Sequence, residues 1–182
     1  MLLRRTGKTL VRSQHLALVG LAAFALVSCS SAHMAGHGVS EAPLAREVRQ
    51  ATERYQDVKA ATAAGYAPFL GCVSSPQDGA MGIHYVNGQY LKDDKIDIAR
   101  PEAVMYEPMA DGRLKLVAVE YITSKGPASL DGQLFNFNSA PNRYGLGEFY
   151  ELHVWAWKGN PTGTFADMNP KVSCEHAMAP SQ

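Results

Sequence analysis

Four short runs rich in β-branched, aromatic and aliphatic residues limit what this chain can fold into: Gly82–Asn87, Ala103–Glu107, Arg113–Thr123 and Phe149–Trp157. Gly, Pro, Asn and Asp clusters separate them, which marks them as strands joined by turns. Asp111-Gly112, between the second and third runs, is a strong hairpin signal because Gly accepts the positive φ that a tight turn needs. Ahead of the strands, Pro43 suits a first helical turn. Leu44, Val48, Ala51, Tyr55 and Val58 then recur at spacings of four and three. That is one helical stripe, and Gly65 is placed to stop it. The reading is an α+β domain over residues 43–182, with one amphipathic helix over about 43–64 packed on a curved, mainly antiparallel sheet or small barrel.

Three of the strand runs contain an ionisable residue where apolar ones dominate. His84 lies within MGIHYV, Glu120 within LVAVEYI and His153 within LHVW. A buried carboxylate costs several kcal/mol unless it is paired, hydrogen-bonded or bound to metal. A core histidine bonded to backbone, or a Glu120 ion pair, would answer each case singly. Jointly, two imidazoles and one carboxylate form a donor set for one divalent metal ion, Zn, Fe, Mn or Cu. A small curved sheet has one interior in which to place them.

Glu107 is a fourth candidate, tested by the hairpin. A two-residue loop pairs Glu107 with Leu116 and leaves Glu120 four residues further along the same face, roughly 13 Å away. A three-residue loop slips the pairing by one and turns the two carboxylates to opposite faces. One metal cannot hold both without a bulge, so Glu120 is the preferred ligand. No nucleotide-binding glycine loop, HExxH or GxSxG occurs, which removes the common motif-borne chemistries.

Trp155 and Trp157 alternate with Leu152, Val154 and Ala156, so on one straight strand they share a face with His153. They are either core or a ligand platform. The turn-rich stretch 124–147 is long enough to be a binding loop or lid. Together they define an alternative function, a non-catalytic module that binds a small ligand or an envelope partner. His33, Met34 and His37, echoed by His176 and Met178, offer copper donors or simply lie in a linker.

The N-terminus carries four basic residues and no acid in residues 1–28, then an apolar run from Leu16 to Val27 and Cys29. The run is shorter than the roughly 20 residues a spanning helix needs; it reads as an export signal. Leu26-Val27-Ser28-Cys29 resembles the bacterial lipobox, which implies cleavage after residue 28, acylation of Cys29 and a membrane anchor. Residues 29–42 then form a flexible tether. The resemblance places the protein in the bacterial cell envelope. Ser30 and Ser31 imply the outer membrane, facing the periplasm, in a two-membrane host. Residues 29–182 carry 13 basic and 17 acidic groups, a net charge of −4, which argues against a nucleic-acid partner. Cys72 and Cys174 remain in an oxidising compartment and should pair as a disulfide, the alternative being metal ligation.

The strings GIHYVN, PEAVMYEP, LVAVEYI, LHVWAW and NPTGTFADMNPKVSC resemble a family of exported bacterial lipoprotein-like domains over about residues 50–175. That resemblance implies export and a single domain, and carries no activity with it. The donor set is also loosely similar to that of cupin barrels, although this chain lacks their HxH pair. Mass spectrometry of the membrane fraction is expected to find a mature chain beginning at an acylated Cys29; an unmodified N-terminus would contradict the lipobox reading.

Overall fold

The computed structural model describes residues 41–178. The expected export signal, Cys29 and the His33, Met34 and His37 group lie outside them. Among the described residues, no helix is long and apolar enough to cross a membrane. The fold is mixed α and β, with few helices and a curled antiparallel sheet that forms a half-barrel.

The stripe that predicts one helix over 43–64 is divided in three. Helix α1 (Pro43–Thr52) leads into a 3-10 turn (Glu53–Gln56), and α2 (Val58–Ala63) follows. Two polar contacts explain the break. The Tyr106 hydroxyl donates to the Tyr55 carbonyl at 2.6 Å, taking an acceptor that a continuous helix would use for Lys59. Asp57 then leaves helical geometry and caps α2 by accepting the Lys59 N–H at 2.9 Å. Leu44, Ala45, Val48, Tyr55 and Ala61 remain buried, so the apolar stripe still faces the sheet.

Strand β1 (Tyr66–Ser75) pairs with β2 (Gly79–Asn87), and short α3 (Gly88–Asp93) follows. Next come β3 (Ala103–Pro108), β4 (Leu114–Thr123), the small β5 (Ser129–Leu130) and β6 (Gln133–Leu134) pair, β7 (Asn136–Asn138) and β8 (Phe149–Val154). The main sheet runs β1-β2-β3-β4-β8-β7. Gly82, at φ 94°, lets β2 approach β3: a Cβ there would lie 2.5 Å from the Tyr106 carbonyl oxygen.

The β3–β4 hairpin uses the three-residue loop, Ala110–Gly112, because Met109 N–H donates to the Arg113 carbonyl at 2.9 Å. Glu107 consequently faces Lys115. The register then changes between Met105 and Tyr106, whose partners are Ala118 and Leu116, which leaves Val117 as a bulge. The bulge returns Glu120 to the Glu107 face, opposite Ala103, but four residues away along β3. Glu107 is occupied elsewhere: Lys158 Nζ reaches its two oxygens at 2.8 and 2.6 Å, and Ser173 N–H donates at 3.1 Å.

The two faces of the sheet have different fillings. One carries Val104, Tyr106, Val119, Tyr121, Leu152 and Val154, packed against the helices. Towards one end of the other, Met105, Ala118 and Trp155 pack with Ala80, Met81 and Val172. Val172 belongs to the irregular C-terminal segment, which is stitched to Ala80 through Asn169 by two backbone hydrogen bonds of 3.2 and 3.1 Å.

A disulfide joins Cys72 of β1 to Cys174, with Cα atoms 5.8 Å apart and a sequence separation of 102. It ties the C-terminal segment to the sheet edge. Closing a loop of that length removes about 4–5 kcal/mol of denatured-state freedom in the chain-entropy model. A Cys72→Ala/Cys174→Ala variant is expected to lose stability of that order in denaturant titration, and an unchanged midpoint would contradict the role given to the bridge.

Candidate metal centre

Strand register alone brings three ionisable side chains onto one face. His84 on β2 pairs with Met105 on β3, Ala103 on the same face of β3 pairs with Glu120 on β4, and Glu120 pairs with His153 on β8. His84 and Glu120 are each 3% exposed and His153 is fully buried. His84 Nε2 lies 3.6 Å from Glu120 Oε2, and His153 Nε2 lies 3.6 Å from Glu120 Oε1. The three donor atoms all fall within 4.8 Å of one another.

Those separations are too long for hydrogen bonds. Among the described residues, all four ring nitrogens of His84 and His153 are buried without a hydrogen-bond partner. Leaving such groups unsatisfied costs about 1–3 kcal/mol each. A shared cation could take the two Nε2 atoms, though not the two Nδ1 atoms: two ligand atoms at 2.0–2.1 Å from a tetrahedral ion are themselves about 3.3–3.4 Å apart. The two imidazole–carboxylate separations match that spacing closely, and the two imidazole nitrogens lie within 4.8 Å of each other.

The electrostatics suit the same chemistry. Burial, reinforced by His153 and Arg143, pushes His84 down to about 3, so its imidazole is a neutral lone-pair donor. Burial also raises Glu120 well above the usual carboxylate range, and Glu151, Glu102 and Asp167 push it the same way. A carboxyl group so placed stays protonated unless a positive charge stands beside it.

Two carboxylates missing from the sequence-derived set stand around His153. Glu151, 2% exposed and two residues earlier on β8, points to the same face, and its Oε2 has no hydrogen-bond partner among the described residues. Asp167, from the C-terminal segment, places Oδ1 3.7 Å from His153 Nδ1, and its pKa is lowered chiefly by His153. Glu151, His153 and Asp167 form a second cluster of potential ligand atoms that shares His153 with the first. Glu151 was legible from its i, i+2 spacing to His153. Asp167 gave no periodic signal because its segment is irregular.

The tryptophans do not share a platform. Trp155 stays on the His153 face, packed in the second core with its indole N–H donating to the Ala166 carbonyl at 2.5 Å. After Val154 the strand ends, and Trp157 turns to the helix side, where its indole N–H donates to Thr52 Oγ1 at 3.3 Å. Alternation fails because Trp157 and Lys158 N–H groups both donate to the Val117 carbonyl at the bulge. His176 and Met178 are exposed at the C-terminal end of the described residues and belong to neither cluster of potential ligands. The 124–147 stretch does reach the site: Tyr144 and Leu146 line a cavity together with His84 and Glu120. No family model matches the chain, and no curated protein or solved structure is significantly similar to it.

Close to this acid-rich face, Glu102 is fully buried, with Oε2 accepting the Ile122 N–H at 2.8 Å and Oε1 unpartnered among the described residues. Burial raises its pKa from 4.5 to about 7. A raised folded-state value stabilises the fold below the unfolded pKa, and that contribution is lost as pH rises through the folded one. The stability difference between the wild type and Glu102→Gln should therefore shift against the wild type by about 3 kcal/mol between pH 4.5 and pH 8. Urea titrations across that window measure it, and parallel curves would contradict the assignment.

Proposed function

We propose that the chain is an exported, lipid-anchored protein of the bacterial envelope whose domain holds one divalent metal ion, Zn, Fe, Mn or Cu, through His84, Glu120 and His153. The observation that carries this reading is the convergence of three buried donor atoms at hydrogen-bond-excluding distances. The lipobox-like Cys29 carries the anchor half. In a two-membrane host, Ser30 and Ser31 favour the outer membrane, facing the periplasm.

Three protein ligands leave coordination positions open, as sensing and catalytic sites require. The ion would supply Lewis acidity, polarising a bound molecule or lowering the pKa of a bound water. Asp167 stands behind the His153 ring, and a closing of its 3.7 Å gap to Nδ1 when an ion binds would favour Nδ1 as the protonated nitrogen and Nε2 as the metal donor. The alternative, a ligand-binding module built on the 124–147 loop and the two tryptophans, keeps support only for its loop half, since Tyr144 and Leu146 stand beside His84.

Elemental analysis of the purified, tag-free protein tests the reading. About one equivalent of metal is expected in the wild type, against a loss of about tenfold or more in a His84→Gln/His153→Gln variant that retains its circular dichroism. Equal metal in both, or none in the wild type after loading with each of the four ions, would contradict it.

A further inference from the structure

His84 and Glu120 form one wall of a cavity of about 110 Å³. The rest of its lining is almost wholly hydrocarbon, from Phe69, Val86, Leu91, Ile122, Leu146 and Phe149. Among the described residues, Tyr144 is the one other polar residue in the lining, and its hydroxyl is directed to Met81 Sδ at 3.7 Å. The roof is preformed. Asn142 Nδ2 donates to the carbonyls of Ser139, Leu146 and Gly147, while its Oδ1 accepts the N–H groups of Tyr144 and Leu146. One side chain thus fixes the loop that carries Tyr144 and Leu146 over the site.

We propose that this cavity is the ligand pocket of the metal centre, and that it takes a neutral molecule of no more than about six heavy atoms, hydrocarbon except for one donor atom directed at the metal. The proposal rests on the metal reading and adds the ligand class. Size follows from the volume, because an apolar cavity of about 150 Å³ already accommodates benzene. Neutrality follows from the lining, since a charge on the ligand's far end would be desolvated against Phe69, Ile122 and Phe149, and among the described residues Arg143, the cation that acts on His84, is not part of that lining. The single donor atom follows from His84 and Glu120 standing side by side, 3.6 Å apart, in a lining that is otherwise hydrocarbon apart from Tyr144.

The test uses the full-length protein loaded with cobalt(II), whose visible bands report a change of ligand. Pyridine and nicotinate have ring nitrogens of similar basicity, but nicotinate carries a carboxylate on the side of the ring. Near neutral pH, pyridine is expected to bind at least about tenfold more tightly than nicotinate. Leu146→Ala, which opens a wall at a half-exposed loop residue, should reduce that ratio several-fold. Equal affinities in the wild type, or a ratio unaffected by Leu146→Ala, would overturn the proposal while leaving the metal reading in place. Absence of cobalt bands before any ligand is added would overturn both.

Discussion

Burial of ionisable groups on one sheet face is the constraint to which the rest of the structure answers. His84, Glu120, Glu151 and His153 are all at most 3% exposed and lie on one face of β2, β4 and β8. Side chains alternate along a strand, so a one-residue slip would send each group into the helix-packed core. The bulge at Val117 preserves the required parity, because without it the loop after Met109 would turn Glu120 to the wrong side. The two faces therefore serve different ends: one buries aromatic and branched side chains against the helices, and the other keeps polar donors dry.

Keeping them dry requires covers that the sheet does not provide. The C-terminal segment closes one end of that face with Val172, anchors at Cys72 through Cys174, and brings Asp167 behind His153. The 124–147 stretch closes the other with Tyr144 and Leu146, its tip organised by Asn142. A low-dielectric enclosure strengthens every interaction within it, which is why unpaired imidazole and carboxylate groups there demand a partner. The Glu107–Lys158 pair supplies the contrast: a buried carboxylate whose needs are already met, with nothing left to offer a metal.

Much of the sheet was legible because β2, β3, β4 and β8 are short apolar and aromatic runs between turn residues, β3 being buried throughout and β4 and β8 almost so. β1 was not, since Pro68 and Gly71 interrupt its pattern and it lies at the sheet edge, where such residues are tolerated. The broken helix was hidden because its cause, the Tyr106 hydroxyl on the Tyr55 carbonyl, is 51 residues away in sequence. The grouping of His84, Glu120 and His153 was visible as polar interruptions of apolar runs. Asp167 and Tyr144 were not, because both sit in irregular segments whose placement depends on tertiary contacts. The expected common face of Trp155 and Trp157 failed for a local reason, the end of β8 at Val154.

One metal ion among His84, Glu120 and His153 is the proposed occupant of the dry face, and anomalous X-ray diffraction from crystals of the protein loaded with zinc would locate it. The account predicts a single strong peak about 2 Å from the Nε2 atoms of His84 and His153 and from a Glu120 oxygen. A peak held instead by Glu151 and Asp167 or by His176, or no peak beside His84, would contradict it.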